Sequence, residues 1–446
     1  MIGAGSFFTD AISEGLCDDA ALFEGSEFVL VDTNPQLLEL SLIRNRKYIE
    51  KRGVNIFLRA ETDRKKALEG AKYVVMSCEK ERVPYWIQDL EIPAKFGVEQ
   101  FQGENGGPGG QAHAMRNISL FMEICADMRK LCPDAWLMNF TNPMSFVCTY
   151  FQRYGWKKAL GFCHQVHGSL GVVSEMLGLE PGELEFITGG INHFNWLLDI
   201  RKRGSNESCM GWFLNEVKKN QYFQKVHHNI PANKFTLDIL KNFGLYCVGY
   251  DDHISEYTPF FYPHTEWRDM GYSLSLDERK KYLKTLQERE SKSTNEQAQE
   301  QSMAREEFFK YPFPKDGHHP WYKEHPTQVM SALESNKALY LDSIVIPNNG
   351  AIDNLPNDAL VDVPAMVIGG EVRSIHAGKL PTFAMELCRR QITIHELLVE
   401  AVVTADKQKL VQAMALDPYV RGIRQACDIV DAFLEAYRVE LPQFHK

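Results

Sequence analysis

The sequence predicts an α/β protein: a doubly wound parallel sheet followed by a second, mixed α+β domain. Three observations predict it. A glycine turn, Gly3-Ala4-Gly5-Ser6, precedes a helical stretch and then an apolar run ending in an acid, Asp32. Short apolar runs then alternate with amphipathic stretches as far as residue 165, the pattern of β–α–β units. Beyond that point paired strands and long helices replace the alternation. At 446 residues the chain is long enough for two cores. The change of pattern divides it into 1–165 and 166–446.

The elements follow in order. A helix is expected from Phe8 to Leu16 and a strand from Glu27 to Asp32. Next come a helix over 37–52, a strand over 73–77, an amphipathic helix over 116–131 and short strands at 136–140 and 159–162. The stretch Gly103-Glu104-Asn105-Gly106-Gly107-Pro108-Gly109-Gly110 reads as a mobile loop before the helix with Arg116. In the second half, strands at 184–188 and 194–201 flank a turn at 189–193. Residues 275–310 read as a charged, solvated helix. Strands at 340–346 and 359–367 follow, and 381–437 is mostly amphipathic helix. Only Met1-Ile2 precedes the first glycines, so the first strand reads as truncated.

Composition excludes several classes. The net charge of −10, without a basic block, argues against a nucleic-acid partner, because phosphate neutralisation needs a basic face. No apolar run approaches the roughly 20 residues of a membrane span, and the start has no signal-peptide pattern. The ten cysteines are scattered, which reads as reduced thiols in a cytoplasmic protein.

Gly3, Gly5 and Ser6 with Asp32, 27 residues after Gly5, match a nucleotide site. There, glycines let backbone approach a pyrophosphate and the acid binds the ribose. The third glycine is missing, and a glycine turn with a strand-end acid also suits any α/β protein. Cys163 and His193 lie 30 residues apart, each at a strand end or turn. Thiolate plus imidazole suits Zn, Mn, Fe or Ni, although catalytic zinc usually has three protein ligands. Both residues also have an ordinary buried reading. Tyr250, Asp251, Asp252 and His253 form a titratable cluster of the side-chain types used for proton abstraction. Glu104 is a further candidate acid or base.

Several motifs together carry a resemblance. They are Gly3–Ser6, Gly107–Gly110, Asn139-Phe140-Thr141-Asn142-Pro143-Met144, Gly161-Phe162-Cys163-His164, Gly190-Ile191-Asn192-His193 and Asn349-Gly350-Ala351-Ile352-Asp353-Asn354-Leu355-Pro356. In this order, over nearly the whole chain, they resemble glycoside hydrolase family 4. Lys95-Phe96-Gly97-Val98-Glu99-Gln100 and His253–Pro259 resemble its α-galactosidase branch.

The resemblance implies a Rossmann-like fold, bound NAD and a divalent metal, usually Mn²⁺. It implies an exception to two-carboxylate glycoside hydrolysis. A hydride leaves carbon 3 of the sugar, a base takes the proton on carbon 2, and the bond at carbon 1 breaks by elimination. Water then adds and the hydride returns. Gly3, Gly5, Ser6, Asp32, Asn34 and Asn142 would contact the cofactor, and Cys163 and His193 the metal, with sugar oxygens completing its shell. Asp251 is the first choice for the base and Tyr250 the second. Glu104, where α-galactosidase relatives carry Asp, and His164 are candidate acids. Asn142 and His253 would contact the sugar. Trp86 stands where 6-phosphosugar enzymes carry Arg, and an indole stacks on a sugar but lacks the charged fork for a phosphate.

The expected substrate is therefore a small, unphosphorylated α-galactoside. α-Glucosides, α-galacturonides (through Arg82) and 6-phospho-α-glycosides are alternatives within the family. Outside it, the alternatives are an NAD-dependent 2-hydroxy acid dehydrogenase and a non-enzymatic nucleotide sensor. The family's habit implies a homodimer or homotetramer.

Overall fold

The computed structural model describes residues 1–6, 8–219, 226–227, 230–231, 234–249, 251–259, 276–290 and 326–445. Tyr250 and, of the expected charged helix, residues 275 and 291–310 lie outside the described residues. None of the described helices is long and apolar enough to cross a membrane.

The first strands are β1 (Glu27–Val31), β2 (Phe57–Glu61), β3 (Tyr73–Met76), β4 (Trp136–Asn139) and β5 (Ala159–Gly161). β1 pairs with β2, β3 with β4 and β4 with β5, all in parallel. Ile2 bridges β1 on one side and β3 on the other. Its N–H donates to Val75 at 2.8 Å, its carbonyl accepts from Ser77 at 3.0 Å, and Val31 N–H donates to Met1 at 2.8 Å. The first strand is thus present as a single bridging residue. The spatial order β2-β1-Ile2-β3-β4-β5 is that of a doubly wound dinucleotide fold. β3, β4 and β5 are short and mostly buried, which is why they read as apolar runs without alternation.

The remaining strands are β6 (Leu184–Ile191), β7 (Phe194–Lys202), β8 (Val226–His227), β9 (Ile230–Pro231), β10 (Tyr246–Val248), β11 (Leu339–Pro347), β12 (Leu360–Ile368) and β13 (Glu371–Ser374). The sheet continues antiparallel from β5 through β11, β12, β6 and β7 to β10. One sheet therefore runs through both halves of the chain. The turn expected over 189–193 is tighter, with only Asn192 and His193 between β6 and β7.

Helices cover this sheet. The helix Pro35–Arg52 starts at Asn34, whose side-chain oxygen accepts from the N–H groups of Gln36 and Leu37, and stops at left-handed Gly53. The Gly-rich stretch is shorter as a loop than its glycines suggest: Gly107–Leu131 is one helix, and Gly107 to Gly110 are its buried first turn. The reason is steric. A Cβ on Gly109 would lie 2.8 Å from the Gly103 carbonyl, and one on Gly110 2.6 Å from Asn105 backbone. The C-terminal helix Thr382–Thr404 packs back on this helix, and Lys407–Leu416 and Ile423–Ala436 join it in the same core. Phe121, Phe151, Leu398 and Phe433 meet in that core, each contributing roughly 1.5–3 kcal/mol of burial.

Candidate active site

In a doubly wound sheet the site lies beyond the carboxyl ends of the parallel strands. The residues singled out by their motifs fall there. Gly3 follows Ile2, Asp32 follows β1, Asn142 follows β4 and Cys163 follows β5, while Cys78 and Glu79, which no motif singled out, follow β3.

Gly3 has φ +85°, and a Cβ on it would lie 2.0 Å from the Ser77 carbonyl, so only glycine turns the chain here. Gly5 N–H donates to Asp32 Oδ2 at 2.8 Å, and Asn34 N–H donates to Oδ1 at 2.9 Å. Ser6 Oγ bonds Ser77 Oγ at 2.9 Å. This turn, opening onto the helix Phe8–Asp18, has the shape of a pyrophosphate cradle with an acid beside it. Asn34 belongs to the same corner, but its side-chain oxygen serves as the helix cap.

Cys163 and His193 come together, with Sγ 3.2 Å from Nε2. His193 has φ +63°, the conformation that the two-residue turn imposes on it. It is buried, and its Nδ1 has no hydrogen-bond partner among the described residues. Burial, with the charges of His253 and His164, pushes its pKa well below the usual imidazole value. A neutral imidazole with Nε2 aimed at a thiol is a donor pair ready for a metal. Among the described residues no cluster of three or more His, Cys, Asp or Glu side chains could hold an ion. Sites 163 and 193 therefore offer two protein donors.

His253 stacks on His193 with ring centroids 4.1 Å apart. Its Nδ1 donates to Glu256 Oε2 at 3.1 Å. Burial opposes its charge, but Asp252, the bond to Glu256 and Glu104 outweigh it and raise its pKa to about 9. Glu104 reaches Asn142 Nδ2 at 3.5 Å and Asn105 Nδ2 at 3.4 Å, so the loop acid and the Asn142 segment are neighbours. His113 bridges the Glu104 carbonyl at 3.0 Å and Glu79 Oε2 at 2.8 Å. Burial lowers the pKa of His113, yet Glu79 raises it on balance. Burial raises Glu79, yet His113, Arg82 and Arg116 hold it below its usual value. Each partner thus favours the charged form of the other. His164, next to Cys163, is half-buried.

Two expected roles are corrected. Asp251 is buried, and its carboxylate accepts from Phe235 N–H at 2.8 Å, Thr236 N–H at 2.9 Å and Thr236 Oγ1 at 2.7 Å. It caps the helix Lys234–Phe243 and has no reason to act as the base. Asp251→Ala should destabilise the protein by about 1–3 kcal/mol, the cost of orphaned buried donors, read as a lower thermal midpoint. kcat of the folded fraction should stay close to wild type. Trp86 is also buried: its indole N–H donates to the Gln102 carbonyl at 2.7 Å, and Arg82 and Arg279 lie 5.6 and 5.1 Å from its ring centroid. Packed with Val83, Leu90 and Leu283, it is a wall and not an open stacking platform for a sugar.

Sequence reasoning missed Glu256, Asn105, His113 and Arg279. The first three carried a local signal: Glu256 lies three residues after His253 on one helix face, and the other two flank the Gly-rich turn. Arg279 gave none, because only folding brings its helix Leu276–Glu290 to Gln102.

Comparisons with known proteins identify the family of the chain. The family 4 glycosyl hydrolase model matches residues 1–179, and the model of that family's C-terminal domain matches 188–420. An α-galactosidase of Rhizobium meliloti (strain 1021) is 29% identical over 468 residues, covering 100% of this chain and 89% of its own. An α-glucosidase of Erwinia rhapontici is also 29% identical, over 97% of this chain and 96% of its own. A crystal structure of a 6-phospho-α-glucosidase from gut microorganisms, in complex with NAD and Mn²⁺, superposes with a TM-score of 0.80 at 21% identity, covering 99% of this chain and 98% of that one. The doubly wound sheet, the glycine turn and the Cys163–His193 pair thus sit in a chain that belongs to glycosyl hydrolase family 4.

Proposed function

We propose that this glycosidase is NAD- and Mn²⁺-dependent and cleaves unphosphorylated α-galactosides. The observation that carries the reading is the convergence of Cys163 and His193 beside a dinucleotide-type turn on the same sheet edge. The turn at Gly3 accepts no side chain, and His193 is neutral with its Nε2 on the thiol, so both groups suit the residues present. When bound, NAD supplies a hydride acceptor and Mn²⁺ supplies Lewis-acid charge.

The chain's residues then divide the work. Asp32 would bind the ribose, and Cys163 and His193 would hold the metal. Glu104, with Asn142, addresses sugar hydroxyls or the leaving-group oxygen, and His253 orients the sugar. With Asp251 committed to a helix cap, the base role passes to its neighbour Tyr250. Asp32→Ala should weaken NAD binding roughly 10–100-fold, the loss of hydrogen bonds to a charged acceptor. A fluorescence titration with NAD checks this.

The α-galactosidase-like segments 95–100 and 253–259 favour a galactoside. An unphosphorylated sugar is favoured because Arg82 is paired with Glu79 at 3.1 Å and because Glu104, Asp252 and Glu256 cluster at the site. One observation favours a second reading, an α-galacturonide. Arg279 is buried, its Nε has no partner among the described residues, and the charges of Asp252, Glu104 and Glu256 reach it. The test is a panel of aryl α-galactoside, α-glucoside, α-galacturonide and their 6-phosphates, with NAD, Mn²⁺ and reductant, each also omitted in turn. The galactoside should be turned over fastest. A preference for the galacturonide selects the second reading, and activity that ignores omission of both cofactors contradicts the proposal.

A further inference from the structure

The first N–H groups of a helix have no partner within it. Ahead of the Gly107–Leu131 helix, the N–H groups of Glu104, Asn105 and Gly106 converge on one atom, Glu256 Oε1, at 2.7, 2.8 and 3.2 Å. Convergent N–H groups at a helix start form an anion cradle. Here the chain fills the cradle itself, from a residue about 150 positions away. Glu256 is 1% exposed, and a Cβ on Gly106 would lie 2.9 Å from its carbonyl oxygen, so the two segments are in direct contact.

The second oxygen distinguishes this carboxylate from a simple cap. Glu256 Oε2 accepts from His253 Nδ1 at 3.1 Å, and His253 stacks on His193. One rigid group therefore fixes the loop bearing Glu104 and the imidazole lying over His193. A capping role alone would need neither the second bond nor that geometry.

We propose that Glu256 is a positioning residue of the glycosidase site, setting Glu104 and His253 as one unit beside the Cys163–His193 pair. The inference rests on the functional reading above. Two variants separate its two halves. Glu256→Ala removes all four hydrogen bonds. Glu256→Gln keeps an oxygen for the three amides but turns an NH₂ toward His253 Nδ1, replacing an acceptor with a donor.

Hydrogen exchange at amides 104–106, Mn²⁺ titration by EPR and steady-state kinetics on the preferred glycoside read the outcome. In Glu256→Ala the three amides should exchange at least roughly tenfold faster. In Glu256→Gln they should stay protected. Both variants should lose roughly 10–100-fold in kcat and in Mn²⁺ affinity, as do residues that orient metal ligands, with KM little changed. Protected amides in Glu256→Ala, or full kcat and Mn²⁺ affinity in Glu256→Gln, would overturn the proposal. If wild type turned over no glycoside in the panel, the functional reading would fail by itself. Exchange and Mn²⁺ titration would still decide the role of Glu256.

Discussion

Replacing Cys163 with serine is expected to lower kcat by roughly a thousandfold, about 4 kcal/mol of transition-state stabilisation. The two donors found here are Cys163 Sγ and His193 Nε2, 3.2 Å apart. A serine hydroxyl is not ionised at neutral pH and is no substitute for a thiolate. One imidazole then remains, too little to hold a divalent ion at micromolar concentration. Mn²⁺ affinity measured by EPR should therefore fall together with kcat. NAD affinity should stay within a factor of a few, because Gly3, Gly5 and Asp32 belong to other strand ends. Serine is nearly isosteric, so far-UV circular dichroism should not change. A Cys163→Ser protein with full Mn²⁺ content would remove Cys163 from the proposed metal site.

The second large effect concerns stability. Arg116, in the helix behind the Gly-rich loop, bonds Asp89 through both terminal nitrogens at 2.7 and 2.6 Å. Tyr437 Oη donates to the same carboxylate at 2.7 Å, and the guanidinium lies 4.3 Å from the Tyr437 ring centroid and 4.9 Å from that of Tyr85. The ion pair is almost fully buried, with side-chain exposures of 4% and 2%. Burial opposes the charge on Arg116, and the Asp89 carboxylate outweighs it and raises the pKa. Asp89→Ala leaves that charge buried without its counter-ion, which costs about 3–5 kcal/mol. The thermal midpoint should fall by several degrees. The double variant Asp89→Ala/Arg116→Met should recover part of the loss, because no unpaired charge remains. A double variant less stable than Asp89→Ala would mean that the pair stabilises through packing and not through charge compensation.

Both effects turn on residues of unequal visibility in the sequence. The parallel half was legible because its strands are short apolar runs ending in a glycine, an acid or a cysteine at the site. β2, which has no fully buried residue, and the short β10 and β13 were not, since each is held by its neighbours more than by its own pattern. The Gly-rich stretch read as a loop because glycine is a poor helix former. Its glycines are instead there to let the helix start close to neighbouring backbone.

At the site, Cys163 and His193 were legible as residue types at strand ends, although only folding shows that they converge. Asp251 misled because an acid beside a tyrosine and a histidine resembles a proton-transfer group. The helix that it caps begins at Lys234, a long-range relation that no local motif carries. Glu256 was passed over within a segment already singled out, because its partners are the backbone N–H groups of residues 104–106. Trp86 shows the same limit: a residue's type suggests a ligand, and its burial decides whether a ligand can reach it.

The most direct test of the central claim is hydrolysis of the preferred α-glycoside in D₂O, with NMR of the released sugar. A reaction that removes the proton on carbon 2, eliminates at carbon 1 and then adds water must return a solvent deuteron to carbon 2. The expected result is deuterium at carbon 2 of the product, formed only when both NAD and Mn²⁺ are present. An unlabelled sugar, released at the same rate without either cofactor, would contradict the account.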